Sequence, residues 1–142
     1  MVNPVPDSDV GASKDTRISL ENETLASCRL VIERMYDRSD RGEFVCSFID
    51  AYDIFAAGVA FACITYRHQT GDNDDQDVLM RVTDVMNKCS TLITIISGRF
   101  PALKAFNRVI LALLSRLIEL HTPNSRVRLG YNSCESGGPN TL

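Results

Sequence analysis

CSTLITIISGRFPALKAFNRVILALLSRLIELH, residues 89–121, is the clearest structural signal in the chain. Apolar residues recur at helical spacing on both sides of a short interruption. Gly98 fits the left-handed position that commonly follows a helix, and Pro101 fits the first position of a new one. The stretch therefore predicts one amphipathic helix that stops at Gly98 and another that begins at Pro101.

The same spacing predicts the remaining helices, and no segment has the alternation of a strand. Two helices are expected over residues 23–38 and 43–67, and the third begins near residue 75 with Asp74 as its N-cap. Asp40 and Glu43, three residues apart, predict a capping box for the second helix. We expect an all-α fold, an antiparallel bundle of about four helices.

The ends of the chain differ from its middle in composition. Residues 1–20 are polar and predict a disordered leader, and residues 122–142, with several Gly and Pro, predict a flexible tail. Residues 68–75 form a polar loop between two helices. One helical domain over residues 21–121 remains, enough for a modest core.

The predicted core is the sum of the apolar stripes. Its members on the first, third and fourth helices are Leu25, Cys28, Val31, Ile32, Met35 and Tyr36; Leu79, Val82, Met86, Cys89, Ile93 and Ile96; and Leu103, Phe106, Val109, Ile110, Leu113, Leu114, Leu117 and Ile118. Leu111 and Leu120 lie off the last stripe, which predicts a fourth helix covered on more than one side.

The second helix is apolar nearly all round, as in a central buried helix or a membrane span. Asp50 and Asp53 oppose a span, because each carboxylate costs roughly 2.5–3.5 kcal/mol at a bilayer centre. The charge-free remainder, residues 54–66, is too short to cross. Small residues such as Ala60 allow close helix approach, so we expect a central bundle helix and no membrane.

Charge and cysteine usage exclude several classes of protein. A net charge of −3 and a pI near 5.3 argue against a nucleic-acid surface. The five cysteines are widely spaced with no Cys-x-x-Cys, which predicts neither a disulfide framework nor a zinc site. The N-terminal residues have no signal-peptide pattern. We expect no metal and no cofactor.

Candidate chemistry is sparse. Asp50 and Asp53 share one face of the second helix, either as an acid/base or metal-binding pair or as capping and ion-pairing groups. His68 and His121 lie at predicted helix ends, where they can meet free carbonyls. The acidic run after Gly71 lacks the EF-hand spacing. No catalytic residue is predicted, and an enzyme is not favoured.

Three segments carry a family likeness: CRLVIERMY (28–36), FIDAYDIFAAGVAFACITYR (48–67) and CSTLITIISGRFPALKAFNRVILALL (89–114). Together they resemble the C-terminal part of the regulatory, or middle homology, domain of fungal zinc binuclear cluster (Zn2Cys6) transcription factors. Ala57 and Gly58 match the family's Phe-x-Ala-Gly helix. Arg99, Phe100 and Pro101 match its Arg-aromatic-Pro, with Phe where Trp is common.

The resemblance implies a non-enzymatic, transcription-regulator-like domain that acts through protein contacts, with a homodimer possible, in the nucleus or otherwise the cytoplasm. The sequence contains no six-cysteine cluster, so DNA binding and zinc do not carry over. A competing hypothesis is a small helical enzyme or ligand-binding protein of a fungal secondary-metabolism gene cluster. Its pocket would lie between the second and fourth helices near Asp50, Tyr52 and Asp53.

Overall fold

The computed structural model of the chain describes residues 9–44, 46–68 and 76–122. Every regular element in these ranges is helical: α1 (Asp9–Asp40), α2 (Phe48–His68), α3 (Gln76–Ser97) and α4 (Lys104–His121), with a 3-10 turn at Pro101–Leu103 leading into α4. The predicted all-α bundle is confirmed. The predicted tail beyond residue 122, Asp74 and most of the polar loop lie outside the described residues.

Consecutive helices run antiparallel. Glu21, in the middle of α1, meets His68 at the end of α2. In contrast, α2 and α4 run in the same direction. Phe48, at the start of α2, meets Phe100, just before α4, and Phe55, two turns further along α2, stacks on Phe106 in the first turn of α4. Helix α1 packs on α2 and α3, and α4 packs on the other side of the same pair. The result is an up-down-up-down bundle.

The core is centred on α3. Its buried apolar residues are Ile32 from α1; Ala51, Ile54, Phe61 and Ala62 from α2; Val82, Val85, Met86, Cys89, Leu92, Ile93 and Ile96 from α3; and Leu103, Ile110, Leu114 and Leu117 from the last segment. The stripe predicted for α3 is buried apart from the half-buried Leu79. On α4, by contrast, Val109 and Ile118 are exposed, although both were predicted in the core. Leu111 and Leu120 are exposed as well, so the prediction that they are covered on a second side of the helix was wrong. Val31, predicted in the core from α1, is also exposed.

Helix α1 begins at Asp9, earlier than the predicted residue 23, so residues 9–20 are helical where the sequence predicted a disordered leader. Glu21 contacts the last residue of α2, and the turns before it, about 18 Å of helix, therefore extend past that end of the bundle. The Arg17–Glu21 pair supports these turns, although they bury little. Hydrophobic periodicity missed them because they contribute nothing to the core.

The helix boundaries correct two predictions. Gly42, with φ +70°, occupies the left-handed position after α1, where its N–H donates to Ser39 O and that of Glu43 donates to Arg38 O. The left-handed assignment of Gly98 was wrong, because α3 ends instead in a tightened turn with Arg99 N–H donating to Ile96 O. Gly98 itself has no positive φ.

The second correction concerns the start of α2. The helix begins at Phe48, and its capping box is formed by Ser47 and Asp50, not by Asp40 and Glu43. Ser47 stands immediately before the helix, where its hydroxyl can meet a free N–H of the first turn. The prediction chose a pair with the same spacing that lies too far upstream.

Candidate interaction surface

Helix α2 was predicted to be a central bundle helix that is apolar nearly all round, and it is buried on one side only. Its buried face carries residues spaced three and four apart: Ala51, Ile54, Gly58, Phe61 and Thr65. A second series follows the same spacing on the opposite side. We call it the outer α2 seam: Ile49, Tyr52, Ala56, Val59, Cys63 and Tyr66.

The outer α2 seam carries no charge and faces solvent. Five of its six residues are exposed, and Val59 is half-buried. The alternating three- and four-residue steps are those of the a and d positions of a coiled coil, which place successive side chains along one line of a helix. The seam therefore has the pattern of a helix-pairing surface and no helical partner among the described residues.

Apolar groups on α4 extend this surface. Phe55 of α2 stacks on Phe106, with ring centroids 4.2 Å apart and planes inclined by 22°. Val109 and Leu113 follow Phe106 by three and seven residues, so they lie on the same flank of α4. Val109 is exposed and Leu113 half-buried. The Phe55–Phe106 stack thus joins the α2 face to an apolar flank of α4.

Close packing beneath the seam fixes the position of α2. A Cβ built on Gly58 would lie 2.6 Å from Cys89 Sγ and 2.9 Å from Ile110 Cδ1. The Cys89 thiol donates to Ile54 O over 3.5 Å, and burial raises the pKa of this thiol to about 12. Because α2 touches α3 and α4 at this one point, the outer seam is presented on a rigid support.

The two carboxylates proposed as candidate chemistry have separate environments. Asp50 Oδ2 accepts hydrogen bonds from Ser47 N–H at 2.7 Å and from the Ser47 hydroxyl at 2.8 Å. These bonds, the backbone one first, lower the pKa of Asp50 below its ordinary value. The capping interpretation thus applies to Asp50, while Asp53 and Tyr52 are exposed beside it. The contacts of Asp50 are with Ser47 and do not involve Asp53.

A charged cluster clamps α1 to the end of α2. Glu21 Oε1 lies 3.1 Å from Arg67 Nη2, and Glu21 Oε2 lies 2.9 Å from His68 Nε2. The Glu21 side chain is only 12% exposed. The His68 hydrogen bond, then the charges of Arg67 and Arg17, hold the pKa of Glu21 below its ordinary value. His68, the last residue of α2, thus has a structural role: it holds α1 against the end of α2.

Polar groups also join the other helices. Ser90 Oγ donates to Asn107 Oδ1 at 2.8 Å, and Asn107 Nδ2 donates to Thr94 Oγ1 at 2.9 Å, which ties α3 to α4. Lys88 pairs with Asp84 at 2.8 Å and lies 5.8 Å from the Tyr36 ring centroid, next to α1. The hydrogen bond to Asp84 raises the pKa of Lys88.

The remaining histidine and the cysteines have simple surroundings. His121 Nδ1 lies 2.6 Å from Leu117 O, the contact with a helix-end carbonyl expected from the sequence. The described cysteines, Cys28, Cys46, Cys63 and Cys89, are free. Across residues 9–44, 46–68 and 76–122, no three His, Cys, Asp or Glu side chains are grouped closely enough to hold a metal ion.

The residues that carry the family resemblance are mostly packing residues. Gly58 is buried at the α2–α3 contact, and Ala57 beside it is half-buried. Phe100 is half-buried and meets Phe48 edge-on, with ring centroids 6.2 Å apart. Pro101 begins the 3-10 turn, as its fixed φ allows, and Arg99 is exposed. The structure therefore brings Phe100 to the start of α2 and leaves Arg99 in solvent.

Comparisons of the chain with family models, curated proteins and solved structures gave no match. Of the helices described, α2 is long and apolar enough to cross a membrane by length and composition alone, a test that core helices of soluble proteins also pass.

The sequence predicted that α2 is apolar nearly all round but did not separate the outer α2 seam from the buried face. The steps from residue 49 to residue 66 alternate regularly between three and four, and so do those of the buried face. Two such series on one helix make it apolar nearly all round, and the sequence alone does not say which one the bundle covers. The contact at Gly58 decides it.

Proposed function

We propose that this chain is a non-enzymatic helical domain that acts by binding protein through the outer α2 seam. The observation that carries the proposal is an uncharged, coiled-coil-like stripe on a helix whose other side is locked into the core. Folded proteins seldom leave a contiguous apolar surface to water without a partner that covers it. Its extension onto α4 through Phe55 and Phe106 gives room for a helical ligand.

The narrower role is transcription regulation. It rests on the resemblance of residues 28–36, 48–67 and 89–114 to the regulatory domain of zinc binuclear cluster factors, and so does a nuclear location. A domain of this kind would contribute protein contacts, and DNA recognition would come from a partner, since the net charge of −3 gives no electrostatic attraction to phosphate.

The test places a photo-cross-linking amino acid at Ala56, in the centre of the outer α2 seam, in cells. The matched control is the same amino acid at Ser115, exposed on the flank of α4 opposite Phe106. We expect protein adducts at Ala56 and far fewer at Ser115. Equal adducts at both positions, or none at Ala56, would refute the proposal.

A second experiment tests the regulatory role. The chain, native or with Ala56→Glu, is fused to a heterologous DNA-binding domain. The binding site of that domain lies upstream of a reporter gene. We expect reporter expression to change with the native chain and to return to baseline with the variant, since a carboxylate in the seam must be desolvated on binding. If the native chain does not change reporter expression, the role in transcription regulation is refuted. Protein binding through the outer α2 seam is then judged by the cross-linking experiment alone.

A further inference from the structure

We infer that the outer α2 seam pairs with the same seam of a second copy of this chain, in antiparallel orientation. The inference rests on the proposed function and names the partner. The register matches Ile49 with Tyr66, Tyr52 with Cys63, and Ala56 with Val59 of the second copy. A two-fold axis then passes between Ala56 and Val59, and the interface is the same surface on both copies.

The sizes of the seam residues support this register. Tyr52 faces the small Cys63, and Ala56 faces the mid-sized Val59, so successive layers contain complementary volumes. A parallel pairing would place Tyr52 against Tyr52 and Ala56 against Ala56, which alternates crowded and empty layers. Knobs-into-holes packing requires each layer to be filled to a similar volume. The order of side chains along α2 thus fits an antiparallel copy better than a parallel one.

Charge favours the same orientation. Asp53 is exposed near the start of α2, and Arg67, which also pairs with Glu21, is exposed near its end. An antiparallel pair brings the acidic start of each helix beside the basic end of the other and opposes the two helix dipoles. A parallel pair would bring like ends together. Between residues 53 and 67 there is no charge to desolvate.

The exposed apolar area indicates the class of interface. Phe48, Ile49, Tyr52 and Tyr66 are 52, 69, 57 and 53% exposed. With about 150–250 Å² per aromatic side chain, the three aromatic residues offer roughly 300 Å² per copy, and Ile49 brings the area to on the order of 400 Å². Two copies bury roughly 800 Å², and the flank of Val109 adds to it, which is below the lower limit of about 1,200 Å² for stable interfaces. An interface of this size fits a weak, reversible dimer.

Disulfide trapping with oxidised glutathione tests the register. The background carries Cys28→Ser, Cys46→Ser and Cys134→Ser, and it keeps the buried Cys89. In the proposed register the two copies of Cys63 lie about 16 Å apart along the axis, beyond the Cα separation of about 7 Å that a disulfide allows. Adding Tyr52→Cys places a thiol opposite Cys63 of the second copy.

We expect the Tyr52→Cys protein to form a covalent dimer with a 52–63 linkage by peptide mass spectrometry, and the background to stay monomeric. Ser27→Cys, exposed on α1, is the control for random collision and should not link to Cys63. Efficient linkage in the background itself, between the two copies of Cys63, would overturn the antiparallel register.

Sedimentation equilibrium of the full native chain measures the association itself. We expect reversible dimerisation at protein concentrations below 1 mM and at least a tenfold weaker association for Ala56→Glu, with Ser115→Glu unchanged. Both positions are exposed, and circular dichroism confirms that each variant folds. A native chain that is monomeric at 1 mM would overturn the inference. Adducts with other proteins at Ala56 would in that case leave the proposed function standing.

Discussion

Gly58 of α2 lies directly against Cys89 of α3, so closely that a Cβ on the glycine would be 2.6 Å from the cysteine sulfur. Ile110 of α4 closes the same point from the other side, at 2.9 Å. This three-helix contact determines which side of α2 is buried, and with it which side is available to a partner.

Gly58→Ala should destabilise the fold by about 1–3 kcal/mol, because the added methyl forces α2 away from α3. Urea unfolding followed by circular dichroism measures the loss. Gly11→Ala is the matched control, since nothing lies within 4 Å of its Cβ position in α1. Adding Cys89→Ala should recover part of the loss, and strictly additive effects of Gly58→Ala and Cys89→Ala would contradict the contact.

Gly42→Ala should cost about 1 kcal/mol for a different reason. Gly42 has φ +70° with open space around its Cβ position, so the cost is backbone strain alone. Gly42→Asn should cost less, because asparagine tolerates the left-handed region better than alanine. Equal losses for the two substitutions in urea unfolding would argue against a left-handed residue there.

Removing the Ser47–Asp50 capping box should shorten or fray α2. Ser47→Ala and Asp50→Ala should each cost about 0.5–2 kcal/mol at pH 7, and the double variant less than their sum, because both break one motif. The folded-state pKa of Asp50 is lowered, so its contribution is present above the ordinary value of 3.8 and is lost as pH falls through the folded value. The difference between native and Asp50→Ala stability should therefore shrink near pH 2.

Glu21→Gln should weaken the clamp that holds α1 to the end of α2, so that fraying from the N-terminal turns extends past residue 21. Hydrogen exchange of amides in residues 21–28 should accelerate, while exchange in α3 stays slow. Arg17→Gln is the control, since Arg17 lies 3.6 Å from Glu21 on the same helix and its replacement leaves the Glu21–His68 contact in place.

The same clamp predicts a pH dependence. The pKa of Glu21 is lowered in the folded state, so the contribution of the clamp is present above the ordinary value of 4.5 and is lost as pH falls through the folded value. Exchange of the native protein in this segment should approach that of Glu21→Gln under acid conditions. Exchange of this segment that does not change between pH 5 and pH 2, after correction for intrinsic rates, would contradict a lowered pKa of Glu21.

Cysteine labelling should follow burial. Cys63 is exposed on the outer α2 seam, whereas Cys89 is buried with its pKa raised to about 12, so almost none of its reactive thiolate is present at pH 8. Iodoacetamide should modify Cys63 before Cys89, and Cys89 only after unfolding, as read by peptide mass spectrometry. Rapid native labelling of Cys89 would contradict the packing at Gly58.

The sequence predicted the helices best where one apolar stripe alternates with polar residues. In α3, Val82, Met86, Cys89, Ile93 and Ile96 were predicted and are buried, because only one side of the helix could face the core. The prediction from sequence was less successful for segments with two apolar stripes or with none. Residues 9–20 have no stripe and are nevertheless helical. Helix α2 has two stripes, and the sequence did not say which of them is buried.

The capping signals show a similar division. Ser47-Phe-Ile-Asp50 and Asp40-Arg-Gly-Glu43 have the same spacing, and Gly42 and Gly98 both follow helical segments. Which of each pair forms the cap depends on where the preceding helix stops. That point is set by how far α1 and α3 continue to make contacts, which no local spacing records.

The sequence by itself determined the all-α class and the helical spacing of the apolar residues, because backbone periodicity and side-chain polarity are local properties. It also showed that Cys-x-x-Cys and the EF-hand spacing are missing from the chain. The tertiary structure alone decided that Gly58, and not Ala56, faces Cys89. Only a residue without a side chain fits between α2, α3 and α4, and this choice turns the remaining apolar seam outward.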